Sequence, residues 1–490
     1  MPIKIKNLNY SYDSRNQIFK NLNVEIDENW KLGLIGKNGA GKTTLLKLIK
    51  EGNLKEISTN LVIKYFPIML KNQSSTLQQI IDYDFADIES WKIYRELNLL
   101  DLSLEKLEQS FNTLSGGEKV KFQLALLFAE DDCFVLLDEP TNHLDEDTKD
   151  KILKYLKSKK GFILASHDRW LLDNTIDHTL TLENKTCKIQ KGNYSVWEEN
   201  YNLKLEYEKS QNELLGKEIE RLESTKEKTL RWADDAENAK SKKVNQNQAV
   251  LDRGYFGGKA AKAMKRAKII ENRIDYKIEE KKQLLSSYEK EEEIKLFPIT
   301  ANENKTIINY RDLSAYYGKN QVFKDMNLEV KGGDRVALMG ANGSGKSTLL
   351  KILLGENITY DGEIYKKSNL KISYVSQEIS NLKGNLFDYA RENQLNLTLL
   401  LTLLKKLGLK RGIFENNLEN LSDGQKKKVL LASSLITSAD LYIWDEPFNF
   451  IDIFTRIRIE NLILKYKPTM IFVEHDKFMI EKLSTKIIYF

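Results

Sequence analysis

The chain has 490 residues, which exceeds the roughly 250 to 300 residues at which one hydrophobic core stops growing, so we expect two or three domains. Hydrophobic residues make up 41% and charged residues 30%, which is typical of a globular protein and argues against long disordered regions. The net charge of +5 is small beside 76 basic and 71 acidic residues, so it does not identify a class of partner. The two cysteines, Cys133 and Cys187, are too few for a disulfide framework and favour a reducing compartment.

The first predicted element is a strand near the N-terminus, where Ile3, Ile5 and Leu8 alternate with polar residues. This alternation differs from the apolar core of a signal peptide, so no secretion is expected. The longest apolar stretch, residues 395–404, is about half the length of a membrane span. We therefore expect a cytoplasmic protein that does not insert into a membrane.

A glycine loop follows an apolar strand that ends at Gly36. Its sequence, Gly36-Lys-Asn-Gly-Ala-Gly-Lys42-Thr43, matches the phosphate loop of nucleotide-binding proteins and precedes a helix-like segment. In such a loop, backbone N–H groups converge on the phosphates, the lysine reaches the β and γ oxygens, and the next hydroxyl holds Mg²⁺. The nucleotide-binding residues predicted here are Gly36, Asn38, Gly39, Gly41, Lys42, Thr43 and Thr44, with Thr43 also a metal ligand.

A second apolar strand delivers two adjacent carboxylates, Asp138 and Glu139. The first suits the magnesium shell, and the second suits orienting or deprotonating an attacking water. Taken alone, acidic residues that cap a strand-to-loop turn would be the better interpretation. The upstream phosphate loop favours a catalytic role for Glu139 and a metal-binding role for Asp138.

Residues 194–298 are predicted to be helical, because glycine and proline are scarce while Lys, Glu, Leu and Ala dominate. Apolar residues recur at helical spacing over 215–222 and again over 263–285, which predicts an antiparallel pair of helices. We expect the tip of this hairpin at about 241–258, where the sequence is polar and basic and contains three potential helix breakers, Gly254, Gly257 and Gly258.

The same series of motifs returns after the hairpin, so that residues 313–476 align with residues 8–168. Both repeats have the pattern of α/β domains with parallel strands, and we expect them to span 1–193 (the first cassette) and 299–490 (the second cassette). The second set of predicted nucleotide-binding residues is Gly340, Asn342, Gly343, Gly345, Lys346, Ser347 and Thr348, with Ser347 and Asp445 as metal ligands and Glu446 as the catalytic residue.

These residues resemble the ATP-binding cassette (ABC) superfamily, because Leu114-Ser-Gly-Gly-Glu118 and Leu421-Ser-Asp-Gly-Gln425 are similar to its signature motif. The resemblance implies two tandem ABC-type P-loop ATPase domains that bind ATP and Mg²⁺. It also implies that each signature completes the site of the opposite cassette. Ser115, Gly116 and Gly117 would then face the ATP on Lys346, while Ser422 and Gly424 would face the ATP on Lys42.

Further site residues follow from the same resemblance. His167 and His475 correspond to switch histidines that sense the γ-phosphate, although an isolated histidine is more often structural. Tyr12 and Tyr317 correspond to the aromatic residue that stacks on adenine, with a buried core aromatic as the alternative. Gln377 corresponds to the glutamine-loop residue, which contacts nucleotide and metal.

The two cassettes depart from this pattern at different points. Ile68 stands where the first cassette would carry the loop glutamine, and Asp423 replaces the first signature glycine of the second. The segment Phe448-Asn-Phe-Ile-Asp452 also differs from Thr141-Asn-His-Leu-Asp145. Because both lysines and both glutamates of the motifs are retained, we expect two active sites with unequal rates.

Two cassettes on one chain, joined by a charged helical hairpin and lacking membrane spans, resemble the ABC-F family. Gly192-Asn-Tyr-Ser195 is similar to that family's junction before the linker. The resemblance implies that the ATP-closed form binds the ribosomal E site. It further implies that the hairpin reaches toward the peptidyl-transferase centre, beside 23S rRNA and the P-site tRNA. A monomer without an obligate protein subunit is expected.

Basic and aromatic residues around the hairpin tip are candidates for RNA contact, through phosphate neutralisation and base stacking. The alternative is that these charges only solvate a helical hairpin, as most charge runs do. The candidates are Lys242, Lys243, Arg253, Tyr255, Phe256, Lys259, Lys262, Lys265 and Arg266.

Residues 252–266 resemble the linker of the Lsa/Vga-type antibiotic-resistance branch. This implies displacement of lincosamides, streptogramin A compounds and pleuromutilins from the ribosome. Two alternatives stay open, a housekeeping ABC-F translation factor and the ATPase subunit of an ABC exporter.

Overall fold

The structure is a computed structural model that describes residues 2–12, 17–52, 54–130, 132–141, 144–243, 252–286, 296, 298–299, 305–341, 343–380, 382–409 and 411–490. The chain divides into two compact units, Met1–Trp197 together with Ile294–Phe490, and Glu198–Glu293. Within those ranges, no helix combines the length and hydropathy that a membrane crossing requires.

The first cassette contains nine strands and six α-helices among the residues that the structure describes. They are β1 (Ile3–Ser11), β2 (Gln17–Ile26), β3 (Lys31–Gly36), α1 (Lys42–Glu51), β4 (Ile57–Ser58), β5 (Val62–Phe66), α2 (Leu77–Asp84), α3 (Ser90–Leu99), α4 (Gly116–Phe128), β6 (Cys133–Asp138), α5 (Glu146–Ser158), β7 (Phe162–Ala165), α6 (Arg169–Thr175), β8 (His178–Glu183) and β9 (Thr186–Lys191).

The main sheet of the first cassette has the strand order β5-β6-β7-β3-β8-β9, and all neighbours are parallel except β8 and β9. Its central strands are continuous apolar runs, such as Phe162–Ala165, because helices cover both faces of a parallel sheet. A separate antiparallel sheet has the order β2-β1-β4. The carboxyl ends of β3, β6 and β7 meet at one edge of the main sheet, and this edge carries the phosphate loop and both acidic residues.

The unit Glu198–Glu293 contains most of α7 (Tyr194–Lys243) and all of α8 (Asp252–Ser286). Ile219 of α7 packs with Ile274 and Ile278 of α8. Ion pairs join the same helices in antiparallel register, as in Lys226–Asp275 at 2.7 Å and the Lys281–Glu218 contact. The predicted antiparallel hairpin is therefore confirmed.

The hairpin differs from the sequence prediction in two details. Residues 252–258 begin α8, so the three predicted breakers, Gly254, Gly257 and Gly258, lie inside a helix. Each glycine costs a helix only about 1 kcal/mol relative to alanine, which the neighbouring helix formers tolerate. Ile270, one of the apolar residues at helical spacing over 263–285 that we expected to pack, is 44% exposed. Residues 244–251 at the tip lie outside the described part of the chain.

The second cassette repeats the architecture of the first. Its strands and helices are β10 (Thr306–Tyr317), β11 (Asn320–Lys331), β12 (Arg335–Met339), α9 (Lys346–Leu354), β13 (Thr359–Lys366), β14 (Ile372–Val375), α10 (Leu386–Glu392), α11 (Leu397–Lys406), α12 (Asp423–Ile436), β15 (Leu441–Asp445), α13 (Ile453–Tyr466), β16 (Met470–Val473), α14 (Lys477–Leu483) and β17 (Lys486–Tyr489).

The main sheet of the second cassette is fully parallel, in the order β14-β15-β16-β12-β17, and a three-stranded sheet has the order β11-β10-β13. Strands β15, β16 and β12 occupy the places of β6, β7 and β3. The predicted duplication of an α/β unit is therefore confirmed, and each copy brings its motifs to the same edge of its sheet.

Candidate nucleotide-binding and catalytic site

Both phosphate loops end in a left-handed glycine that begins a helix. Gly41 has φ 98° and precedes α1, and Gly345 has φ 105° and precedes α9. A Cβ at Gly41 would lie 2.6 Å from Ile18 Cγ2, and one at Gly345 would lie 2.8 Å from Val322 Cγ1. Both positions therefore require glycine, and each helix N-terminus offers backbone N–H groups to an anion.

The two loop lysines contact different groups. Lys42 Nζ donates to the Gly36 carbonyl at 2.9 Å and lies 3.2 Å from His167 Nε2. Lys346 Nζ donates to two carbonyls of its own loop, each at 2.8 Å. Burial lowers the pKa of both ammonium groups. An incoming phosphate would replace these carbonyl contacts with a full charge pair.

Both predicted catalytic glutamates adopt a left-handed backbone conformation, with φ 52° at Glu139 and φ 46° at Glu446. Their N–H groups donate to the carbonyls of Ala165 at 2.8 Å and Val473 at 3.0 Å, on the neighbouring strand. Non-glycine residues rarely adopt this conformation, and such strain persists where the surrounding structure imposes it. The sheet edge thus fixes the direction of each carboxylate.

In the first nucleotide site, defined by Lys42, the glutamate and the histidine are buried together. The His167 N–H donates to Glu139 Oε2 at 3.2 Å, and His167 Nε2 lies 3.3 Å from Glu139 Oε1. Burial raises the pKa of Glu139 to about 7, although the charge of Lys42 opposes this shift. Burial also lowers the pKa of His167 well below its ordinary value, so the imidazole is neutral.

In the second nucleotide site, defined by Lys346, the glutamate has more polar partners. Asn449 Nδ2 donates to Glu446 Oε2 at 2.6 Å, and His475 Nε2 lies 3.5 Å from Glu446 Oε1. Burial alone would raise the pKa of Glu446, but the contacts with His475 and Asn449 lower it overall. This carboxylate is therefore ionised at neutral pH and can accept a proton from water.

The carboxylate of Asp445 fits a divalent cation. Its Oδ1 atom is buried and has no hydrogen-bond partner among the described residues, and its side chain hydrogen-bonds Ser347. Burial and the charge of Glu446 raise the pKa of Asp445 to about 6, so a nearby cation would favour its ionised form. Hydroxyl and carboxylate oxygens are the donors that Mg²⁺ prefers.

Asp138, its counterpart in the first site, has a partner that sequence reasoning missed. Tyr65 Oη donates to Asp138 Oδ2 at 2.9 Å, from the strand next to β6. Tyr65 lies three residues before Ile68, the residue in place of the loop glutamine. No motif marks Tyr65 in the sequence, and only the register of β5 against β6 in the structure, which aligns Tyr65 with Leu136, brings it to Asp138.

One cavity of about 1440 Å³ is lined by residues of both cassettes. The predicted site residues that line it are Tyr12, Asn38, Gly39, Gly41, Lys42, Thr43, Thr44, Asp138, Glu139, His167, Tyr317, Gly343, Gly345, Lys346, Ser347, Thr348, Gln377, Ser422, Gly424, Glu446 and His475. Gly36, Gly340, Asp445 and the first signature, Ser115 to Gly117, are not part of its lining. Asn342 lies outside the described residues.

Each signature forms the start of a helix with a capping box. Ser115 Oγ accepts from the Glu118 N–H while Glu118 accepts from the Ser115 N–H, and Ser422 and Gln425 make the same pair of contacts. This explains the spacing of serine and Glu or Gln in both motifs. The other backbone N–H groups of the first turn stay available for an anion.

The second signature lies on the first phosphate loop. A Cβ at Gly424 would lie 2.8 Å from the Phe450 carbonyl and 3.5 Å from Asn38 Nδ2. Asn38 Nδ2 itself donates to the Phe450 carbonyl at 2.8 Å. The structure thus brings Ser422 and Gly424 to the first site, as the resemblance implied. The role of Ser115, Gly116 and Gly117 at the second site stays a prediction.

A buried charge cluster joins the cassettes beside the first site. Arg169 of α6 pairs with Asp476 and Glu460, and the Arg169 and Glu460 side chains are 1% and 0% exposed. Arg456 NH1 donates to the His167 carbonyl at 3.1 Å and to Asp476 Oδ2 at 3.3 Å. Sequence reasoning missed this cluster, because its members are far apart in the chain and belong to no motif.

The predicted adenine-stacking residues are exposed, Tyr12 by 66% and Tyr317 by 51%. The alternative of a buried core aromatic is therefore wrong for both, while stacking on adenine stays a prediction. Gln377 is exposed and lines the cavity. Among the RNA candidates, Lys262, Lys265 and Arg266 are exposed on α8, and the side chains of the other six lie outside the described set.

Comparison with known proteins supports the nucleotide chemistry. The pattern of the ABC transporter family matches residues 19–142 and 323–449, which include the phosphate loops and the acidic residues of both cassettes. The chain is similar to the ribosome protection protein VmlR of Bacillus subtilis, with 31% identity over 97% of this chain and 84% of the relative. It is also similar to the erythromycin resistance ATP-binding protein MsrA of Staphylococcus epidermidis, with 30% identity over 93% of this chain and 91% of the relative.

Among solved structures, the archaeal ribosome recycling factor aABCE1 in complex with the ribosomal stalk protein aP1 has a similar fold. The TM-score is 0.62 over 99% of this chain and 87% of that chain, at 19% sequence identity. This similarity supports two P-loop ATPase domains in tandem.

Proposed function

Because the chain belongs to the ABC transporter family and to its ABC-F branch, we propose that its ATP-driven closure controls binding to the ribosome and protects it from antibiotics. The chain is an ATP-hydrolysing enzyme. The observation that carries the proposal is the contact of the second signature with the first phosphate loop, at Gly424, Phe450 and Asn38. A γ-phosphate held there would contact both cassettes, so its hydrolysis would release them.

The chemistry of each site follows from the side chains around it. Lys42 and Lys346 would hold the β and γ oxygens of ATP. Mg²⁺, held by Ser347 and Asp445 in one site and by Thr43 and Asp138 in the other, would neutralise charge on those oxygens. The carboxylate of Glu446 would orient the attacking water and take its proton, and His475 would hold that carboxylate in place.

The proposal of ribosome binding rests on two relatives. VmlR is a ribosome protection protein, and MsrA is an erythromycin resistance ATP-binding protein. We infer binding at the E site, with the hairpin contacting 23S rRNA and the P-site tRNA. The antiparallel pairing of α7 and α8, fixed by ion pairs such as Lys226–Asp275, supports a stiff arm. Exposed Lys262, Lys265 and Arg266 supply charge for phosphates.

The drugs that this arm would displace are lincosamides, streptogramin A compounds and pleuromutilins. A single chain with both cassettes in one compact unit would act in the cytoplasm as a monomer, without an obligate protein subunit. No drug pocket on the protein is needed if the arm shifts tRNA and rRNA around the drug.

Translation in a membrane-free bacterial extract inhibited by lincomycin tests this function. Purified protein with ATP should restore synthesis, and the Glu139→Gln/Glu446→Gln double variant should cosediment with ribosomes while restoring less. Absence of rescue by the wild-type protein would contradict ribosome protection. If ribosome binding persists but inhibitory concentrations of lincomycin, virginiamycin M and tiamulin stay unchanged in a sensitive bacterium, a housekeeping ABC-F factor is the correct assignment.

A further inference from the structure

The second cassette contains two buried charged residues that the first cassette lacks. Lys427 of α12 is 1% exposed, and Glu474, which follows β16, is 6% exposed. Alignment on the signature serines places Val120 opposite Lys427, and alignment on the histidines places Ser166 opposite Glu474. A cation and an anion therefore occur together at two positions that are uncharged in the other copy.

Lys427 joins the ends of two strands that carry groups of the second site. Its Nζ donates to the Ser376 carbonyl at 2.8 Å and to the Asp445 carbonyl at 3.3 Å. Ser376 immediately precedes Gln377, and Asp445 immediately precedes Glu446. A buried ammonium at this point thus fixes the backbone on which the glutamine and the catalytic glutamate are mounted.

Glu474 holds the loop that starts at Phe448. Its Oε1 atom accepts from the Phe448 N–H at 2.9 Å, and its Oε2 atom accepts from the His475 N–H at 3.2 Å. Two residues after Phe448, the Phe450 carbonyl accepts the hydrogen bond from Asn38. Glu474 therefore connects the histidine of the second site to a loop that contacts the first phosphate loop.

Helix α12, which carries Lys427, also contacts both nucleotide sites. It begins at the second signature, where Gly424 lies against Phe450 and Asn38 in the first site. Lys427 follows Gly424 by less than one helical turn and contacts the second site. A displacement of the signature relative to the first site would therefore move the support of Asp445 and Glu446.

We propose that Lys427 and Glu474 are a pair of positioning residues, which set the catalytic groups of the second nucleotide site and tie them to the surfaces that close the first. Val120 has no polar group and Ser166 has no charge, so the first cassette has no ammonium or carboxylate at these two positions. This inference concerns ATP hydrolysis and is independent of the proposed role at the ribosome.

The test replaces each residue with its counterpart from the first cassette. Lys427→Val removes the donor to the Ser376 and Asp445 carbonyls, and Glu474→Ser removes the acceptor of the Phe448 and His475 N–H groups, so each should lower the melting temperature. In the double variant, kcat for ATP should be about tenfold low while KM stays within about twofold. A double variant with wild-type kcat would show that the pair only packs, and the proposal would be wrong.

A second pair of variants keeps the test decisive if the double variant does not fold. Lys427→Arg retains the charge and the donors, and Lys427→Gln retains only hydrogen bonding. Lys427→Arg should keep at least about half of the wild-type kcat, and Lys427→Gln should lose about tenfold at unchanged KM. Equal kcat values for the two variants would overturn the proposal. Val120→Ala, at the matching place in the first cassette, is the control and should leave kcat unchanged.

Combining Lys427→Gln with substitutions of the catalytic glutamates shows which nucleotide site Lys427 acts on. In a Glu139→Gln background, turnover depends on the second site, so Lys427→Gln should lower it by a further factor of about ten. In a Glu446→Gln background, the same substitution should add little. Equal additional losses in both backgrounds would place the effect outside the second site and contradict the assignment.

Discussion

The two cassettes carry the same motifs on the same fold, yet they surround those motifs with different charges. Glu139 is buried against a neutral His167 and has a pKa raised to about 7, whereas hydrogen bonds lower the pKa of Glu446. Arg456 of the second cassette donates to the His167 carbonyl in the first site, whereas Lys427 of the second cassette donates to the Asp445 carbonyl in the second site. Equal motifs therefore do not imply equal reactivity, since neighbouring side chains set the proton affinity of each glutamate.

The largest expected difference between matched positions is in the free energy of unfolding, at the interface between the cassettes. Arg169 and Lys477 each follow the His-Asp pair of their cassette, but the Arg169–Glu460 pair is buried and the Lys477–Glu146 pair is exposed by 29% and 44%. Arg169→Ala should lower the free energy of unfolding by about 3 kcal/mol, because it leaves buried carboxylates undercompensated. Lys477→Ala should cost less than about 1 kcal/mol. Denaturant unfolding of both variants measures this, and equal shifts would contradict it.

The next largest expected difference is in ATP turnover, between variants of the two catalytic glutamates. Glu446→Gln should lower steady-state ATP turnover by about 100-fold, because it removes a base that is ionised at neutral pH. Glu139→Gln should lower turnover by only about tenfold, since much of Glu139 is protonated at pH 7 and contributes less. Phosphate release at saturating ATP measures both. A larger loss for Glu139→Gln would reverse the proposed ranking of the sites.

The pH dependence should separate the same two sites. In Glu446→Gln, turnover relies on Glu139, which is protonated below its pKa of about 7 and becomes a competent base above it. Turnover should therefore rise about tenfold between pH 6 and pH 8. In Glu139→Gln, turnover relies on Glu446, whose lowered pKa leaves it ionised throughout this range. A matching rise in Glu139→Gln would show that another group causes it.

The smallest expected effect concerns the tyrosines beside the acidic pair. Tyr65→Phe removes the hydrogen bond to Asp138, which is worth about 1 kcal/mol, and should change the apparent Mg²⁺ affinity of turnover by about fivefold. Tyr374→Phe is the matched control, because Tyr374 hydrogen-bonds Ser376 and not Asp445. It should change this affinity by less than about twofold. Titration of turnover with Mg²⁺ compares the two, and indistinguishable curves would contradict a role for Tyr65.

The parts of the site that the sequence predicted are those encoded within a few consecutive residues. The turn at Gly41, the lysine after it and the Ser115–Glu118 capping box depend on local spacing alone. Tyr65 could be identified only once β5 was known to pair with β6. Arg169 and Glu460, 291 positions apart, meet only because two α/β units pack together. The glycines of 252–258 gave a wrong prediction of a helix break. The small helix penalty of each glycine is outweighed by the helix-forming residues around it.

The hydrogen bond between Asn38 and the Phe450 carbonyl joins residues 412 positions apart. During synthesis, the loop around Lys42 emerges early, together with Glu139 and His167, while the signature and loop that cover it are still untranslated. The N-terminal half of a growing chain therefore holds every catalytic group of the first site but not its closing surface. An incomplete chain should thus be unable to close its two cassettes around the first site. Only complete chains would then compete for the proposed site on the ribosome.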